Sequence, residues 1–162
     1  MKAFAQLLEL LALTPSRNRK IEALSDYFRT TPDPDRGFAL AVLTGALTFK
    51  NVKPAILKEI VLREVDPHLF ALSYDYVGDL GETIALIWPH HGGTRELPSL
   101  TALIELFNTT PKSQLPVLIA DLLSSAAISE RWALVKFATG ALRIGISARL
   151  AKTALAQMSG KD

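Results

Sequence analysis

The sequence predicts an all-α fold, a compact irregular bundle of about ten short helices. Three observations lead there. Apolar residues recur at helical spacing along almost the whole chain. Strand-type alternation is absent. Pro, Gly and Asp break the pattern every few turns, where helices start and stop. No fixed repeat period is present, which argues against a regular solenoid. At 162 residues, 49% hydrophobic and 21% charged, the chain is long and apolar enough for one domain with a sizeable core.

Each element has its own signal. Phe4, Leu7, Leu8 and Leu11 follow the i, i+3, i+4, i+7 rule. Ile21, Leu24 and Phe28 repeat it behind Thr14-Pro15. Ala39, Val42 and Leu43 stand behind Asp33-Pro34-Asp35, an acidic helix start. Ile56, Ile60 and Val61 follow Pro54 at a first helical position. Asp66-Pro67 opens a segment carrying Leu69, Phe70 and Leu72. Asp79 is placed to cap a short helix with Ile84, Ile87 and Trp88. A loop, Pro89 to Pro98, separates these from the stripe Leu100, Leu103, Ile104 and Phe107. Thr110-Pro111 precedes Leu115, Leu118, Ile119 and Leu122. Trp132, Val135, Phe137 and Leu142 run into the segment Gly140 to Lys152, and Leu150, Ala154 and Leu155 complete the set. Residues 1–158 read as one domain and 159–162 as the start of a linker. Trp88, Trp132 and Phe137 are expected in the core.

Bulk properties exclude several function classes. The absence of cysteine rules out a disulfide scaffold, a thiolate metal site and a Cys nucleophile. The first residues do not resemble a signal peptide, and no apolar run approaches a membrane span, so a soluble cytoplasmic protein is expected. Net charge is only +2, but its distribution is uneven. Arg131, Lys136, Arg143, Arg149, Lys152 and Lys161 crowd the C-terminal part with no acid among them. Glu59, Glu64, Asp66, Asp75, Asp79 and Glu82 crowd the middle. A dipolar molecule with one basic face is predicted.

The segment Gly140 to Lys152 carries the most chemical information. A helix should end near Gly140, and Ser147 is placed to cap the next one. Arg143, Arg149 and Lys152 crowd that start, where a helix already carries partial positive charge. Two other starts share the anomaly. Thr14, Ser16, Arg17, Arg19 and Lys20 open one helix without an acid before Glu22, and Lys112-Ser113 opens another. Free backbone N–H groups with clustered Arg and Lys suit an anion, and phosphate is the obvious candidate. Other chemistry is thin. His90-His91 reads as a solvent loop without a third metal ligand. No HExxH, Walker or GxSxG motif occurs. Asp79 and Glu82 fit the cap and first turn of one helix, so a small standalone enzyme is a remote third option.

At these residues the sequence resembles the N-terminal DNA-binding domain of ATP-dependent DNA ligases, over nearly its whole length. Leu142-Arg143-Ile144-Gly145-Ile146 is similar to the family's Leu-Arg-aliphatic-Gly-aliphatic signature, followed by an Ala-rich helix. Gly78-Asp79-Leu80-Gly81-Glu82 is similar to its Gly-Asp-aliphatic-Gly segment, and Thr14 to Phe28 to its second helix. The Thr-Pro-Ser-Arg opening and the run Ser73 to Leu80 look most like a bacterial branch.

The resemblance implies a helical domain that grips nicked duplex DNA across the minor groove, mainly through phosphates. It implies Arg143, Gly145, Ser147 and Arg149 as phosphate contacts. Thr14, Ser16, Arg17, Lys20, Lys112 and Ser113 are added by the helix-start argument, and Gly78 to Glu82 are expected to set helix packing. No Lys-x-Asp-Gly adenylation motif occurs in the chain. The nucleotidyltransferase and OB domains, with ATP and Mg, are therefore expected elsewhere in a parent enzyme, and the domain alone should not seal nicks. The rival class is a helical protein-interaction module. It predicts an exposed apolar patch, whereas DNA binding predicts a basic, polar face.

Overall fold

The computed structural model describes residues 1–90, 92–140, 142, 144 and 146–160. They form ten α-helices: α1 (Lys2–Leu13), α2 (Arg17–Thr30), α3 (Asp35–Leu43), α4 (Pro54–Glu64), α5 (Pro67–Val77), α6 (Leu80–Ile87), α7 (Leu100–Thr109), α8 (Leu115–Ser125), α9 (Ile128–Thr139) and α10 (Ala148–Met158). A single 3₁₀ turn, Lys112–Gln114, precedes α8. The predicted all-α class holds, and no strand occurs among the described residues. None of these helices is long and apolar enough to cross a membrane.

Local signals explain the boundaries. Ser16, Asp66, Asp79, Ser99 and Ser147 each precede a helix and accept a hydrogen bond from a backbone N–H of its first turn. Pro54 and Pro67 occupy first helical positions, where a missing N–H costs nothing. Gly78 and Gly140 end α5 and α9 in the left-handed region, at φ 78° and 70°.

Helix α9 is the axis of the bundle. Ala133, Leu134, Val135, Phe137 and Ala138 are all buried, so the helix has apolar cover on several sides. It packs against α1 and α6. The Phe137 ring lies 6.2 Å from Phe4 on α1, 5.0 Å from Phe49 in the α3–α4 connection and 5.8 Å from Phe107 on α7. Tilted and edge-on arrangements of this kind stabilise beyond area alone.

Several sequence expectations change. Asp35 does open α3, but its carboxylate accepts from the backbone N–H and hydroxyl of Thr101, at the start of α7. One acid thus serves two helix starts. On α5 only Phe70 is buried, while Leu69 and Leu72 are exposed. That helix packs mainly against α6 and α4, and its Phe70 stacks on Tyr74 one turn later. Trp88 and Phe137 are core residues, but Trp132 is only half-buried.

Because Phe137 bridges four segments, Phe137→Ala should lower stability by about 3–5 kcal/mol. A fall in the urea midpoint at unchanged m value is the expected readout.

Candidate nucleic-acid interface

Two of the three basic helix starts meet in space. Helices α2 and α10 pack along one another. Lys20 Nζ donates to the Ile144 carbonyl at 2.9 Å, and Ser25 Oγ donates to the Ala154 carbonyl at 3.0 Å. The first contact joins the start of α2 to the connection just before α10, and the second joins the two helices farther along, so the two run side by side in the same direction. Their N-termini therefore lie at one end.

Both starts are built alike. Ser16 Oγ accepts from Arg19 N at 3.5 Å, and Ser147 Oγ accepts from Leu150 N at 3.1 Å. Neither first turn carries an acid. Arg17, Arg19, Arg149 and Lys152 are exposed around them. Thr14 is half-buried where α1 ends. Lys20 is half-buried too, and one of its three donors is already committed to Ile144, so it ties the α9–α10 connection to α2. Arg143 and Gly145 lie outside the described residues, as do His91 and Lys161-Asp162.

The arginines divide by environment. Arg29, Arg36, Arg63 and Arg95 each face a carboxylate, from Asp26, Asp33, Glu59 and Asp121. Arg131 is internal. The exposed arginines that form no ion pair among the described residues are Arg17, Arg19 and Arg149, all at these two helix starts. Unneutralised cations at the positive end of two helix dipoles cost about 0.3–1 kcal/mol each, a cost an anion would reverse.

The broader basic face of the C-terminal part is smaller than the sequence suggests. Arg131 is 3% exposed. Its Nε donates to the Leu123 carbonyl at 3.0 Å and an Nη to the Trp88 carbonyl at 3.2 Å, near the C-terminal ends of α8 and α6. Burial lowers the guanidinium pKa, yet it stays charged, favoured by two helix C-termini. Lys136 pairs with Asp79. The only signal of this in the sequence is that Arg131 has apolar residues at i±3 and i±4. Lys112 and Ser113 are exposed in the 3₁₀ turn, so they precede the α-helix instead of opening it. His90 is exposed, consistent with a solvent loop.

The Gly78 to Glu82 segment is a fastening. Gly78 ends α5, and Asp79 Oδ1 accepts from Glu82 N at 2.8 Å to cap α6. Asp79 Oδ2 accepts from Lys136 on α9. A Cβ on Gly81 would lie 3.2 Å from Lys136 Cε and 3.4 Å from Val135 Cγ1, so glycine permits the close α6–α9 approach. Lys136 lies in the last turn of α9, just before the connection to α10. Partial burial pushes the Asp79 carboxyl up, but hydrogen bonds from Lys136 and the Glu82 backbone, with the Lys136 charge, outweigh it. The net shift is downward. Both oxygens of this carboxylate are thus engaged in holding α6 to α9.

The chain matches the family described as DNA ligase N terminus over residues 1–156, and it belongs to that family. Membership implies DNA and the other ligase domains as partners. No curated protein matches the chain.

Asp79 gives a pH test. Its folded pKa lies below the unfolded value near ~3.9, so its contribution is present above that pH and lost as pH falls through the folded pKa. Asp79→Ala should cost about 1–3 kcal/mol at neutral pH by removing a cap and exposing Lys136 to an unpaired site. The gap from wild type should narrow as pH falls below the unfolded value, as read by urea denaturation from neutral pH into acid.

Proposed function

We propose that this domain binds duplex DNA without sequence preference, through phosphates held at the paired starts of α2 and α10. The observation that carries it is the gathering of the unpaired, exposed arginines at these two starts. Arg17 and Arg149 supply charge, and backbone N–H groups behind Ser16 and Ser147 supply donors. Thr14 flanks the site and Lys20 fixes its geometry. Arg143 and Gly145 belong to the same segment by sequence. Lys112 and Ser113 would meet the DNA backbone at a separate point. Phosphate contacts position a protein on DNA but carry no sequence information.

Within the DNA ligase family, the role would be to hold a nicked duplex across its minor groove for an ATP-dependent enzyme of the bacterial branch. That enzyme would act in repair, replication or recombination near the nucleoid. ATP and Mg would be bound by the parent's nucleotidyltransferase and OB domains.

If about five phosphates are engaged, log K should fall with log salt at a slope of roughly −4 to −5. The double variant Arg17→Ala, Arg149→Ala should weaken binding to unrelated duplexes alike and remove roughly two from that slope. Arg63→Ala, which breaks an exposed ion pair elsewhere, should change neither. Fluorescence anisotropy with nicked, intact and single-stranded DNA measures both quantities. Unchanged affinity of the double variant at low salt contradicts the proposal.

A further inference from the structure

A second surface has the opposite character. The segments Glu9-Leu10-Leu11-Ala12-Leu13 on α1 and Glu82-Thr83-Ile84-Ala85-Leu86 on α6 share the pattern Glu-x-x-Ala-Leu. In each, Glu, Ala and Leu at i, i+3 and i+4 fall on one helix face. The two faces form the opposite walls of one groove of about 320 Å³, and Ile128 and Trp132 of α9 join them. Leu13 is 77% exposed, Leu86 63% and Ile128 58%. These are among the most exposed large apolar side chains of the chain, and here they converge.

The rim is acidic. Neither Glu9 nor Glu82 forms an ion pair among the described residues, and no Lys or Arg lines the groove. We propose that this groove docks a short amphipathic helical segment of a protein partner. That segment carries large apolar side chains on one face, flanked by Lys or Arg. A helix laid along α9 would seat its apolar anchors between Leu13, Leu86 and Ile128 and bring its cations to Glu9 and Glu82. The charge sign disfavours the other occupants. DNA phosphates would meet two carboxylates. A second copy docked by two-fold symmetry would set the same carboxylates against each other. The groove goes beyond the DNA-binding reading and does not depend on it.

The test uses the whole chain and three labelled peptides in fluorescence anisotropy. The first is a designed helix with Leu at i, i+3, i+4 and i+7 flanked by Lys. The second has the same composition scrambled to remove the apolar face, and the third carries Glu in place of Lys. Saturable binding of the first peptide alone is expected. Leu86→Ser with Ile128→Ser should weaken it roughly tenfold or more. Glu9→Gln with Glu82→Gln should weaken it about fivefold at low salt and little at high salt. All four positions are exposed, and both variants should keep wild-type circular dichroism and duplex affinity. Equal binding of the scrambled peptide, no binding of any peptide, or an unaffected Leu86/Ile128 variant overturns the proposal. Self-association in sedimentation that Leu86→Ser abolishes would give the groove to a second copy and also overturn it. Loss of duplex binding in these variants would make the groove part of the DNA interface, with the same consequence. Failure of the wild type to bind duplex would leave the peptide result standing, so the two readings fail separately.

Discussion

The burial of α9 is the constraint on which the rest of the structure depends. A helix with apolar residues on nearly every side cannot face water and must be covered by neighbours. Phe137 shows how the cover is assembled, touching rings from α1, from α7 and from the α3–α4 connection. The same burial explains Arg131. A cation in such a helix needs internal partners, and the carbonyls of Trp88 and Leu123 supply them. Arg131 therefore draws the ends of α6 and α8 together over the start of α9.

The other end of α9 sets the candidate site. Asp79 caps α6 and holds Lys136, while Gly81 lets the two helices approach. Gly140 then turns the chain toward α10 in a left-handed conformation that costs glycine little. From there α10 runs beside α2, with Lys20 holding the connection and Ser25 the helix itself. Packing thus brings two positive helix ends and their arginines together, an arrangement that opposes stability in isolation. A bound anion would offset that cost, as the proposed phosphate contacts of a DNA ligase domain require.

The helices and most of their boundaries were legible in the sequence, because apolar periodicity and caps such as Ser16, Asp79 and Ser147 act locally. The fate of single charges was not. Arg131 and Lys136 counted toward a basic face, yet one is buried and the other paired, through partners 43 and 57 residues away. Leu69 and Leu72 looked like core because periodicity does not say how many neighbours a helix has. Lys112 shifted from a helix start to a preceding turn, since cap signals locate ends only within a residue or two. The Glu-x-x-Ala-Leu pattern was visible twice, but its meaning required α1 and α6 to flank α9.

We propose that the N-termini of α2 and α10 act as one phosphate grip. Its most direct test is amide chemical-shift mapping of the chain with two short duplexes of unrelated sequence. The account predicts that the largest shifts fall on Arg17 to Arg19 and Ala148 to Leu150, alike for both duplexes, with the α1–α6 groove unmoved. Shifts confined to other helices, or differing between the duplexes, would contradict it.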